Sequence, residues 1–83
     1  MKAIFEEIES DAPVKYYGKK NRDELFTIEI KDFPFTLFKN MCISASVFSE
    51  HIAEREGNYI VADVRIDYHD GEFEQMVWIY FEG

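Results

Sequence analysis

A second cysteine is missing from this chain. Cys42 stands alone in 83 residues, so no internal disulfide can hold the fold, which fits a reducing compartment. Long apolar runs are missing too. No stretch approaches the roughly 18 apolar residues of a membrane span. The start of the chain, Met-Lys-Ala-Ile-Phe-Glu-Glu, turns acidic early and has no apolar run of signal-peptide length. These absences predict a soluble, cytoplasmic protein. Basic residues are scarce, 9 against 17 acids, for a net charge of −8. A field of that sign repels nucleic acid and anionic membranes and attracts basic protein surfaces. There is no repeat and no low-complexity segment.

What is present is a core. Hydrophobic residues make up 47% of the chain and aromatics 17%, which excludes a disordered polymer. A chain this short buries only about two-thirds of its unfolded surface. Large aromatic side chains are how it gains enough burial for one domain, residues 1–83.

The last quarter, residues 58–83, reads as a long β-hairpin. Asp70-Gly71 supplies the turn, because a type I′ reversal needs positive φ at both central residues. The register follows. Tyr68 faces Phe73, Ile66 faces Gln75, Val64 faces Val77, Ala62 faces Ile79 and Ile60 faces Phe81. All of these are apolar except Gln75. Side chains alternate between faces, so the second face pairs His69 with Glu72, Asp67 with Glu74, Arg65 with Met76, Asp63 with Trp78, Val61 with Tyr80 and Tyr59 with Glu82. That face is acidic near the turn (Asp63, Asp67, Glu72, Glu74, with Asp70 at the tip). It is aromatic towards the open end (Trp78, Tyr80, Tyr59). Asp67 opposite Glu74 puts like charges face to face, which destabilises a sheet unless Arg65, diagonal to them, screens them.

Earlier in the chain, residues 2–10 read as an edge strand and residues 14–17 as a short strand. Residues 18–24 form a polar, basic loop. Residues 25–31 alternate, with Phe26, Ile28 and Ile30 on one side, and are expected to pair with 14–17. Pro34 ends that strand. Residues 44–56 carry a helical spacing, with Gly57-Asn58 as its stop. The expected fold is α+β: an antiparallel sheet of four to five strands with one helix packed on it and the long C-terminal β-hairpin. An all-β meander is the alternative if residues 41–47 are a strand.

Chemistry has little to work with. Cys42 with His51 or His69 would need an electropositive site to form a thiolate, whereas Cys42 sits among apolar residues and reads as a buried, inert thiol. Asp67, His69, Asp70, Glu72 and Glu74 offer oxygen ligands, but Asp67 and His69 lie about 6.8 Å apart along a strand, and the spacing is not that of a calcium loop. No metal or other cofactor is expected. Asp67 and Glu74 could imitate a glycosidase pair, but nothing suggests a cleft that would raise one carboxyl.

The expected activity is therefore binding, not turnover. Trp78, Tyr80 and Tyr59 would anchor a protein partner with a basic surface. Asp63, Asp67, Asp70, Glu72 and Glu74 would steer it. The sharpest form is an inhibitor that mimics nucleic-acid charge and blocks the basic site of a nucleic-acid-handling protein. One alternative is a homodimeric assembly module that uses the hairpin edge or its aromatic face. Another is single-stranded nucleic-acid binding through Lys15, Lys19, Lys20 and Arg22 of the basic loop.

Overall fold

The computed structural model describes residues 1–9, 25–52 and 56–83. Its elements are β1 (Lys2–Glu7), β2 (Thr27–Ile30), β3 (Cys42–Ser44), a 3₁₀ turn (Ala45–Phe48), β4 (Asn58–His69) and β5 (Glu72–Phe81). The strands form one curled sheet, a half-barrel, in the order β2-β1-β5-β4-β3. β1 runs parallel to β5, and the other neighbours are antiparallel. The expected α+β architecture is overturned, since no helix packs on the sheet. Nor is the sheet a meander, because β1 is inserted between β2 and β5.

The expected helix over 44–56 reduces to one 3₁₀ turn among the described residues, with residues 53–55 outside them. The local chemistry explains this. Ser44 Oγ accepts from the Ser46 N–H at 3.3 Å. Ser44, Ser46 and Ser49 together favour such local bonds over a continuous helix. Ala45 and Phe48, three apart, are the buried pair, so 3₁₀ spacing already delivers Phe48 to the interior. Gly57 is not a helix stop. Its φ of 135° lets the backbone pass Phe81, where a Cβ would lie 2.7 Å from the ring. Only glycine takes that conformation without strain.

The first strand is not an edge. β1 pairs on both sides, and Ala3 and Phe5 are fully buried between β2 and β5. Ile28 is buried, and Phe26 and Ile30 pack on the core beside it, the face that their alternation predicts. β2 pairs with β1. Its expected partner, 14–17, and the basic loop with Lys15, Lys19, Lys20 and Arg22 lie outside the described residues.

The hairpin turns where the sequence places the turn, with Asp70 at φ 54° and Gly71 at φ 80°. The register is as read from His69↔Glu72 through Asp63↔Trp78. A bulge at Ala62 then shifts it, so Val61 faces Ile79 and Tyr59 faces Phe81. One extra residue reverses which side chains point inward. Tyr59 and Val61 thus enter the core fully buried, and Ile60 and Ala62, expected there, move to the outer face or the bulge. The exchange places a tyrosine and a valine inside where an isoleucine and an alanine would have stood.

An aromatic cluster fills the curl. Phe5 meets Phe48 at 4.9 Å and Phe33 at 5.3 Å, and Phe48 meets Tyr59 at 5.5 Å. All three contacts are edge to face, the arrangement ring quadrupoles prefer. The loop after β2 crosses the inner face and buries Phe33 and Leu37. Gln75, fully buried on that face, holds the loop down. Its Oε1 accepts from the Leu37 N–H at 3.1 Å, and its Nε2 donates to the Phe35 carbonyl at 2.7 Å. The one polar residue in the apolar register is therefore a clip.

Two substitutions test this packing. Phe48→Ala should cost about 3–5 kcal/mol, read as a lower urea midpoint. Gln75→Met, which keeps volume and adds hydrophobicity, should still destabilise by about 1–3 kcal/mol, because the Leu37 N–H and Phe35 carbonyl lose their partner. A midpoint unchanged in Gln75→Met would remove the clip.

Candidate interaction surface

The turn half of the hairpin overhangs its neighbours. β4 has 12 residues and β5 has 10, but β1 has 6 and β3 has 3. β3 covers β4 only at Asn58, Tyr59 and Ile60. β1 reaches β5 only from Glu74 to Ile79. The end bearing residues 62–73 therefore has two faces and, among the described residues, few covering elements.

On the outer face the expected acids do lie together, but Asp67 and Glu74 are internally paired. Asp67 takes a forked contact from Arg65, at 3.0 Å from Nε and 3.1 Å from Nη2. Glu74 bonds His69 Nε2 at 2.8 Å and Lys2 Nζ at 3.2 Å, and Lys2 also reaches Glu29 at 3.1 Å. The like-charge opposition of Asp67 and Glu74 is thus compensated from both flanks. Asp63 Oδ1 accepts the Val64 N–H at 2.9 Å, just past the bulge. Asp70, 97% exposed, keeps a loose contact with His69 at 3.6 Å, and Glu72 is exposed beside it. Solvent screens surface pairs of this kind, so each contributes little to stability.

The hydrogen bond to Glu74 is the main reason the His69 pKa rises above 6.5, with Glu74's charge and Asp70 adding to it. Glu74 is lowered from 4.5, first by His69 and also by Lys2, against its own partial burial. The Lys2 ammonium is held charged by Glu29 and Glu74.

The proposed aromatic anchors do not stay together. Trp78 is only 8% exposed, with the Arg65 guanidinium 5.4 Å from its ring centroid. Tyr59 is fully buried on the opposite face, brought there by the bulge. Tyr80 alone is partly exposed on the outer face. Cys42 is exposed on the short strand β3 and not the buried thiol its apolar neighbours suggest. Among the described residues no cluster of three or more His, Cys, Asp or Glu side chains could hold a metal.

The inner face of the overhang carries what the sequence reading missed. Tyr68 (62% exposed), Phe73 (58%) and Ile66 (47%) project beyond the core, and the Tyr68 and Phe73 rings lie 4.7 Å apart. Phe35, 66% exposed, stands on the loop that Gln75 holds, its ring edge-on to Phe33 at 5.8 Å. Asp32, Asp70 and Glu72 are exposed at this end of the sheet. An open cleft of about 590 Å³ lies next to Phe73, between Lys31 and Asp32 on one side and Glu72 on the other. The signal that could have found the patch was length. Among the described residues no other strand matches a hairpin whose arms run 12 and 10 residues. Comparison with known protein families, curated proteins and solved structures finds no match for this chain.

The His69–Glu74 pair makes stability depend on pH in both directions. A raised histidine contributes fully below 6.5 and loses its contribution as pH rises through the raised value. A lowered glutamate contributes above 4.5 and loses its contribution as pH falls through the lowered value. The melting-temperature difference between wild type and His69→Asn should be largest between pH 4.5 and 6.5. It should shrink as pH rises through the raised histidine value. A difference that is flat over this range would show that the pair does not form in solution.

Proposed function

We propose that this is a small binding protein that acts without turnover and contacts a protein with a basic surface through the overhanging end of its hairpin. The observation that carries this reading is the exposed Tyr68–Phe73 ring pair, with Ile66 on the same face of the hairpin and acids beside it. Interfaces favour large aromatic anchors surrounded by a polar rim. Isolated exposed apolar residues are ordinary, whereas a contiguous patch of them marks a contact site. Asp70, Glu72 and Asp32 add long-range attraction for Lys and Arg on the partner. The net charge of −8 acts in the same sense. The anchors are therefore moved from Trp78 and Tyr59, which are covered, to Tyr68 and Phe73.

The sharper form, an inhibitor that imitates nucleic-acid charge, has less support than the broader one. Arg65, His69 and Lys2 neutralise Asp67 and Glu74, two of the carboxylates it relies on. Asp70 and Glu72 are left as its open charges. We place the protein in the cytoplasm, where the exposed thiol of Cys42 would stay reduced. Among the described residues no helix is long and apolar enough to cross a membrane.

Affinity capture from the native cell, with mass spectrometry, should be run side by side with wild type and Tyr68→Ala/Phe73→Ala. Both rings are exposed, so the double variant should fold. It should bind the captured partner at least about 30-fold more weakly, the scale of losing a hot spot. Raising salt from about 50 to 200 mM should slow association further. An unchanged set of captured proteins in the double variant would discard this surface.

A further inference from the structure

Among the described residues the outer edge of β4 is open over residues 62–69. Val61 makes the last contacts on that side, accepting from the Asn40 N–H at 2.8 Å and donating to the Met41 carbonyl at 2.9 Å. Among the described residues nothing pairs with the strand beyond it. A type I′ turn makes His69 and Glu72 a hydrogen-bonded pair, and antiparallel ladders alternate bonded with non-bonded pairs. Asp67, Arg65 and Asp63 therefore bond to β5, while the backbone groups of Tyr68, Ile66 and Val64 turn to the open edge. The Val64 N–H points the same way, since it takes Asp63 Oδ1 instead of a β5 carbonyl. Open strand edges of this length recruit other strands.

We propose that this edge pairs with the same edge of a second copy, antiparallel about Ile66, so that Arg65 of each chain faces Asp67 of the other. The register is selected by charge and by backbone parity together. Only Val64, Ile66 and Tyr68 turn their backbone groups outward, so a symmetric pairing must set these residues opposite one another. Centring the pairing on residue 65 would oppose two arginines, and centring it on residue 67 would oppose two aspartates. Both place like charges at close range. Centring on Val64 would bring the partner's Asp67 against Val61, whose edge is already taken by Asn40 and Met41. Centring on Ile66 sets Arg65 against the partner's Asp67, Asp63 against the partner's His69, and Val64 against the partner's Tyr68. Every facing pair is then complementary, charge on the outer face and apolar on the inner face. Ile66 exchanges both backbone bonds with Ile66 of the partner subunit, and each Tyr68 N–H reaches the carbonyl of the partner's Val64. Ile66 is also near the midpoint of the open stretch between Val61, where the β3 side ends, and the turn at Asp70. The contact is isologous, as two-fold dimers require. It joins two half-barrels into one continuous sheet and does not depend on the partner surface proposed above.

Charge exchange tests the register. Sedimentation over a concentration series should show the mass of the wild-type protein doubling. Arg65→Asp and Asp67→Arg should each lose the dimer at concentrations where the wild type is dimeric, a weakening of about tenfold or more because symmetry repeats each mismatch. Both side chains lie on the outer face, 62% and 34% exposed, so each variant should melt as a folded protein. An equimolar mixture of the two should recover a one-to-one dimer, since each carries the charge the other needs. The double exchange in one chain should dimerise by itself. In the wild type, amide exchange at Ile66 and Tyr68 should slow as concentration rises. A wild type that stays monomeric to about 1 mM overturns the proposal. So does a dimer that survives either single exchange, or a mixture that fails to recover one.

Discussion

Parity along β4 governs this molecule. Side chains alternate between the faces of a strand, and an inserted residue exchanges the faces beyond it. The bulge at Ala62 lets a single strand serve two purposes. On its turn side the strand keeps Asp63, Arg65 and Asp67 outward in the register that Asp70-Gly71 dictates. On its other side it delivers Tyr59 and Val61 to the interior. Remove that extra residue and Tyr59 leaves the cluster of Phe26, Phe48 and Phe81 that it contacts edge to face.

A second constraint is supply. The chain devotes strands of 12 and 10 residues to one hairpin, and the other strands are short. The inner layer is built from single aromatic plugs, Phe33 and Phe48, and from a loop tied to Gln75, in place of a helix. Among the described residues such a layer covers only the half of the hairpin nearest the other strands. The overhang, with Tyr68 and Phe73 uncovered and the edge of β4 open, follows from that shortage. The surface proposed for a partner and the edge proposed for a second copy are two consequences of one length mismatch. They share Ile66 and Tyr68, whose side chains are exposed for a partner while their backbone groups face the open edge.

The acidic face shows how pairing redefines a patch. Counted along the chain, the carboxylates gather near the turn. In space Arg65 grips Asp67, and His69 and Lys2 grip Glu74. Lys2 comes from the far end of the chain, through the parallel pairing of β1 with β5. Arg65 was visible as a diagonal neighbour. Lys2 was not, because no local pattern announces which strand will lie beside β5.

Local rules made the hairpin readable. Positive φ at Asp70 and Gly71 needs only those two residues, and the period of two carries the register outward until something interrupts it. The alternation of Phe26, Ile28 and Ile30 was readable for the same reason. The expected helix over 44–56 failed because spacing alone cannot separate a helical face from one 3₁₀ turn that inserts a single phenylalanine. The place of β1, the bulge, the covering of Trp78 and the exposure of Tyr68 lay beyond the amino-acid order. Each depends on which distant segment lies alongside, and on how far that segment reaches, so each was settled when the sheet closed around its core.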